Sequence, residues 1–233
     1  MHFAHGKIDL PGIIDMNHKT EERRVQSYDW YFDVISPFAY LQWKTRDRLA
    51  AHATLRPVPV VLGALLSHWA QKGPAEIPPK RFHTYRACQW RAAKLNIPFR
   101  FPPAHPFNPI AALRLIIALG TTEAAVDALF DAAFGTGRDI SNPEILDEIG
   151  RAHGLTDVAA AISQPEVKLQ LRQNTDAAIA QGVFGVPTTI VGAEIFWGED
   201  TTEMLAEYIA NPAFFTTPEM QRLRTLPAAV QRA

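Results

Sequence analysis

Tyr28-Asp29-Trp30-Tyr31-Phe32-Asp33-Val34-Ile35-Ser36-Pro37 is the stretch on which the reading of this chain turns. Residues 28–34 are aromatic and β-branched with little charge, the texture of a buried strand. Ser36-Pro37 then opens a helix, because proline at the first helical position loses only an orphan N–H and the serine before it can cap the next turn. Phe38, Leu41 and Ala50 carry the apolar face of that helix to about Ala51. Beyond it, Thr54-Leu55-Arg56-Pro57-Val58-Pro59-Val60-Val61 is extended, since a residue before proline is pushed towards β or polyproline geometry. Strand, helix and strand make a βαβ unit.

The middle of the chain changes style. Proline joints at Pro78-Pro79, Pro102-Pro103, His105-Pro106 and Asn108-Pro109 separate segments rich in Ala and Leu. Ser141-Asn142-Pro143-Glu144 and Ser163-Gln164-Pro165-Glu166 each offer serine as a helix cap with glutamate three residues on. Gly154 and Gly182 are natural stops. About six or seven helices fit between Gly63 and Gln181. Afterwards Val186–Val191 reads as a strand, Gly192-Ala193 as a tight turn, and Glu194–Trp197 as the returning strand of a hairpin. A helix capped by Asp200, Thr201 or Thr202 runs to about Ala210.

The order βαβ, helical block, ββα predicts an α/β protein: a thioredoxin-like fold with an all-helical insertion. The expected boundaries are an N-terminal tail at 1–26, a thioredoxin-like domain from 27–62 and 183–215, the insertion at 63–182, and a C-terminal tail at 216–233.

Composition narrows the function. Among 233 residues, 23 Lys and Arg against 24 Asp and Glu leave a net charge of −1, so no basic field favours nucleic acid or an anionic membrane. The single cysteine, Cys88, has no second thiol for a Cys-x-x-Cys pair, which excludes dithiol redox chemistry. The N-terminus shows no apolar leader core and no stretch reaches the length of a spanning helix, so the expected location is cytoplasmic. No metal is expected: His2 and His5 have no Glu or Cys at a metal-motif distance. Cys88, within an expected helix Arg81–Leu95, reads as a small buried hydrophobe.

Ser36 is the first candidate for chemistry. It stands where a strand turns into a helix, so orphan N–H groups and the positive end of the helix dipole face whatever occupies that spot. Taken alone, Ser-Pro opening a helix is a plain cap. Gly185-Val186-Pro187 adds to it: proline at the start of a strand is where a cis peptide would leave the Val186 N–H and C=O free to bind an extended peptide. A trans edge-strand proline is the plain alternative.

Tyr31–Leu41, Pro59–Ala64, Asn108–Arg114, and Gly182–Thr188 through Phe196–Asp200 together resemble the 2-hydroxychromene-2-carboxylate isomerase family, relatives of kappa-class glutathione transferases in the DsbA-like group. The likeness runs from about residue 28 to 210. It implies glutathione as cofactor, with Ser36 in place of a redox cysteine and hydrogen-bonded to the glutathione sulfur. A free thiol near pKa 8.5 is mostly protonated at neutral pH, and each unit of lowering needs about 1.4 kcal/mol. The resemblance further implies that Val186, before Pro187, pairs with the cysteinyl backbone of glutathione, and that Glu199 and Asp200 belong to the segment holding its γ-glutamyl end. Asp200 at a helix start is equally read as a favourable dipole contact.

The reaction implied is a cis-trans isomerisation of an aromatic-ring degradation intermediate, a small aromatic carboxylate, in which glutathione is not consumed. Phe38, His68, Trp69, Lys72 and Trp197 are the residues expected at that substrate. Here the chain departs from the family, which often carries lysine where Ser67 aligns. His68 is either the replacement cation or a surface histidine. A homodimer is also implied. Two rivals remain open: a kappa-type glutathione transferase or peroxidase, and a non-catalytic DsbA-like binding module.

Overall fold

A computed structural model describes residues 26–230. The N-terminal segment read as a tail lies, but for Gln26, outside the described residues. Strand β1 is Gln26–Phe32, helix α1 Pro37–Lys44 and strand β2 Ala53–Pro59, with β1 and β2 parallel. Strands β3 (Thr188–Val191) and β4 (Glu194–Trp197) form the hairpin, and β3 pairs antiparallel with β1 to give the order β2-β1-β3-β4. This is the expected thioredoxin-like sheet with a helical insertion.

Helix α1 is shorter than its apolar pattern suggests. Thr45 Oγ1 donates back to the carbonyls of Leu41 and Gln42, competing with the ladder, and a short 3-10 turn (Arg46–Leu49) replaces the last expected helical residues. Strand β3 likewise begins at Thr188 rather than Val186. Pro187 has no N–H, and Thr188 Oγ1 closes onto the Gly185 carbonyl, so Val186 stays out of the ladder.

Seven helices make up the block between the two halves of the sheet: α2 (Leu62–His68), α3 (Pro78–Leu95), α4 (Ile110–Ala118), α5 (Glu123–Phe130), α6 (Pro143–Ala152), α7 (Val158–Ser163) and α8 (Pro165–Ala180). Two caps differ from expectation. At α6 the cap is Asn142, whose side chain accepts from Glu144 N–H, because Ser141 is held by the Asp139 carboxylate. At α8 the flanking residue is Gln164 without a side-chain cap, since α7 still includes Ser163. Gly154 and Gly182 do end helices, both at positive φ. After β4 come α9 (Thr202–Ala210) and α10 (Pro218–Leu223), the latter within the segment read as a C-terminal tail. Among the described residues no helix is long and apolar enough to cross a membrane.

The core explains why the two halves hold together. Trp30 of β1 stacks on Phe32 at 4.8 Å and on Trp43 of α1 at 5.0 Å, with Phe130 of α5 against both Trp30 and Phe32. Phe99 and Phe134 of the insertion meet Tyr40 of α1, whose hydroxyl donates to the Pro98 carbonyl. Lys44 pairs with Asp127 and Asp131, and Arg46 with Glu123 and Asp127, so α5 is fastened to the end of α1 by charge as well as packing. The insertion is built onto the helix that starts at Ser36.

Candidate active site

The turn before α1 is fixed from three sides. Ser36 N–H donates to the Asp33 carbonyl, Ile35 N–H to Asp33 Oδ1, and Leu62 N–H to Asp33 Oδ2. The Asp33 carboxyl is wholly buried, and that burial pushes its pKa up to about 7 against the lowering effect of the two N–H donors. One side chain therefore sets both the β1–α1 turn and the start of α2.

Ser36 is 7% exposed and caps α1: its Oγ accepts from Ala39 N–H at 3.2 Å. Its own hydroxyl faces the Val186 carbonyl at 3.5 Å, a length at which little is lost by turning away. The Val186–Pro187 peptide is cis. Two residues far apart in sequence, 36 and 186, thus share one spot where a hydroxyl, a helix start and a loop carbonyl converge. The hydroxyl is free to donate to an anion placed there.

Beside this spot, sharing Val186 with it, is a groove of about 480 Å³ lined by Phe38, Trp90, Arg91, Val186, Trp197 and Asp200; Ser36 itself does not line it. Trp197 is 51% exposed and stands edge-on to Phe184; it fits there because Gly185 has no Cβ, which would lie 2.6 Å from the indole nitrogen. Gln42 of α1 sets the far end. It accepts from Trp30 Nε1 at 2.7 Å and donates to the Gly198 carbonyl and to Thr202 Oγ1, linking the buried core to the start of α9.

Glu199 and Asp200, adjacent in sequence, are placed differently. Asp200 is exposed at the groove. Glu199 is 4% exposed and takes both terminal contacts from Arg91 of α3, Nε to Oε2 at 2.9 Å and Nη2 to Oε1 at 3.0 Å. Its carboxylate is occupied by this fork, and the third guanidinium nitrogen, Nη1, makes no hydrogen bond among the described residues. Arg91 was not singled out in the sequence. No local pattern could have found it, since its partner is 108 residues away.

The remaining expected residues are not brought into this groove. His68 closes α2, exposed; Lys72 is exposed beyond it; and Trp69 donates its indole N–H to the Val183 carbonyl at 3.0 Å, on the approach to Val186. Cys88 is buried, and burial with the neighbouring Glu199 charge pushes its thiol up to about 12, so it offers no thiolate. Among the described residues no group of three His, Cys, Asp or Glu side chains is arranged to hold a metal.

The arrangement sets uncharged donors apart from charged ones. Ser36 and the α1 terminus face one spot with the Val186 carbonyl, the tryptophans give apolar walls, and Asp200 and Arg91 supply a carboxylate and a guanidinium N–H at the groove. Glu199 already neutralises Arg91, so the local charge there is balanced or negative.

Comparison with known proteins agrees with the fold. The model of the DSBA-like thioredoxin domain matches residues 29–210. The chain is similar to a 2-hydroxychromene-2-carboxylate isomerase of Sphingobium xenophagum, 28% identical over 195 residues covering 80% of this chain and 99% of that one. It is also similar to glutathione S-transferase kappa 2 of Caenorhabditis elegans, 26% identical over 205 residues covering 78% and 91%. Among solved structures, a 2-hydroxychromene-2-carboxylate isomerase superposes with a TM-score of 0.69 at 24% identity, covering 86% of this chain and 100% of that one. The cytosolic disulfide reductase DsbM from Pseudomonas aeruginosa, solved with GSH, gives a TM-score of 0.53 at 16% identity, covering 85% and 99%. With the β1–α1 turn, the helical insertion and the cis-proline loop in this order, the chain belongs to the DSBA-like thioredoxin domain family.

Proposed function

We propose that this chain is a glutathione-dependent cis-trans isomerase acting on 2-hydroxychromene-2-carboxylate or a similar small aromatic carboxylate, with Ser36 stabilising the glutathione thiolate. The observation that carries the reading is the meeting of Ser36 Oγ, the α1 terminus and the Val186 carbonyl at one spot, in a chain whose single cysteine is buried. A site with no thiol of its own, built to hold an anion beside an extended backbone, needs its sulfur from a ligand.

Glutathione bound there supplies a nucleophilic thiolate that can add reversibly to an electrophilic carbon. The chain's own residues do the rest. Ser36 donates its hydroxyl proton as a hydrogen bond to the sulfur position and turns from Val186 to do so. The first turn of α1 contributes its dipole, favouring negative charge at that end. Val186 N–H and C=O hold the cysteinyl backbone, while Asp200 takes the γ-glutamyl ammonium and Arg91 Nη1 the carboxylate beside it. Phe38, Trp90 and Trp197 give an aromatic substrate its apolar contact. The names of the relatives at 26% to 29% identity support an isomerase or transferase of this type.

The deciding experiment is calorimetric titration with reduced glutathione on wild type and Ser36→Ala, with absorbance near 240 nm following the thiolate across pH. The expected result is a bound thiol whose pKa is depressed in wild type and restored in the variant. Turnover of 2-hydroxychromene-2-carboxylate with no loss of free thiol then assigns the isomerase; stoichiometric loss of thiol assigns a kappa-type transferase instead. Absence of binding at millimolar glutathione sinks both.

A further inference from the structure

His105 lies in the loop between α3 and α4, outside the groove, yet its ring reaches the turn that presents Ser36. Nε2 is 2.7 Å from the Ile35 carbonyl oxygen. A carbonyl can only accept, so Nε2 carries a proton and donates it. Nδ1 is 2.7 Å from Tyr85 Oη of α3, and the same Oη is 2.7 Å from the His105 carbonyl, so the one hydroxyl proton of the tyrosine is shared between two acceptors, the ring nitrogen and the backbone of the same residue. Tyr85, Phe101, Phe107 and Phe134 surround the imidazole with ring centroids 5.2 to 6.0 Å away.

The titratable and charged groups facing His105 are Tyr85 and Arg81, both on α3; from the β1–α1 turn it meets the Ile35 carbonyl, and from the π-helical turn after α5 the Phe134 ring. Burial, the largest influence, and then Arg81 lower its pKa against the opposing Ile35 contact, which suits a neutral ring with Nε2–H as donor. Asp33 already fixes the Ile35 N–H and the Ser36 N–H. The one remaining polar group of that peptide, the Ile35 carbonyl joined to Ser36 N, is the group His105 takes. A residue from the helical insertion thereby completes the hydrogen bonding of the turn on which the thiol site stands.

We propose that His105, locked by Tyr85, is the positioning residue of the thiol site: its Nε2–H fixes the Ile35–Ser36 peptide, so that the Ser36 hydroxyl and the start of α1 meet the ligand sulfur already oriented. The sulfur in this statement rests on the function proposed above; the positioning of the turn does not.

Two variants separate donor from filler. His105→Phe keeps a ring in the aromatic cage and loses the donor; His105→Gln keeps an Nε2–H donor of similar reach and loses the ring. The measurements are the 240 nm titration of bound glutathione, amide hydrogen exchange over residues 34–40, and thermal melting of each variant. His105→Phe should hold about ten-fold less thiolate below the thiol pKa and exchange its turn amides faster, with His105→Gln close to wild type in both. Tyr85→Phe should fall between them. The opposite ranking, phenylalanine like wild type and glutamine impaired, would mean that the ring merely packs and would overturn the proposal. If wild type binds no glutathione, the proposed function falls alone, and the exchange rates still decide: equal rates in wild type and His105→Phe reject positioning, faster rates rescued by glutamine uphold it.

Discussion

The two ends of the groove are built on different principles. At the Ser36 end the polar groups come from backbone and one hydroxyl: the start of α1, the Val186 carbonyl and Ser36, none of them charged. At the outer end it comes from side chains: Arg91 gripped by a buried Glu199, with exposed Asp200 beside them. The first depends on the β1–α1 turn and on the loop that carries Val186. The second depends on one arginine from the insertion meeting one glutamate from the other half of the sheet domain. The uncharged donors and the charged pair are therefore separable by substitution.

Breaking the Ser36 end should give the largest effect on activity. Ser36→Ala is expected to lower turnover about 100-fold, the scale for removing one donor to a developing anion, while destabilising the fold by only about 1 kcal/mol for the lost cap. Steady-state kinetics beside a urea melt measure both; a variant that retains full turnover refutes the role of the hydroxyl.

Breaking the outer end should show the reverse balance. Arg91→Leu strands a buried carboxylate and is expected to cost about 3 kcal/mol of stability. Adding Glu199→Leu should recover most of that stability, yet leave glutathione about ten-fold weaker in both variants, because the guanidinium is missing from the groove. Restored affinity in the double variant would show that Arg91 acts on Glu199 and not on the ligand.

Asp33 supports the Ser36 end and gives it a pH signature. Its folded pKa of about 7 lies above the ordinary value of 3.8, so between those values the folded state binds more protons than the unfolded chain. Stability from this group is full below about pH 4 and is lost as pH rises through 7, a decline of up to about 4 kcal/mol. Denaturant melts from pH 4 to 8 should follow that slope in wild type and flatten in Asp33→Asn. Equal slopes in the two proteins would rule out this assignment.

The smallest effect is expected at the wall between the ends. In Gly185→Ala the new methyl would lie 2.6 Å from Trp197 Nε1, and the half-exposed indole must swing aside. Glutathione affinity should fall only about two- to three-fold with stability nearly unchanged, since exposed side chains move at little cost. Tryptophan fluorescence should shift; an unchanged spectrum would mean that the indole had not moved.

The Ser36 end was legible because its signals are local. An aromatic strand run, Ser-Pro at a helix start and Gly-Val-Pro before a β-branched run each declare their geometry within a few residues, and their order gave the fold class. Boundaries slipped where side chains competed with the ladder, as at Thr45, which ends α1 early, and at Asn142, which replaces Ser141 as a cap. Glu199 and Asp200 looked alike as neighbours. Burial of one against Arg91 and exposure of the other separated them.

The amino-acid sequence by itself determined the order of elements, the absence of a dithiol and the identity of the residue at the head of α1, because periodicity, capping and cysteine count are properties of short segments. Only the tertiary structure decided which side chains share the groove. Arg91 and Glu199 stand 108 residues apart, Ser36 and Val186 150 apart, and His105 lies 70 from the carbonyl it holds. Contacts at such separations follow from how the insertion docks on α1 and on the start of α9, and no local pattern in the chain encodes that docking.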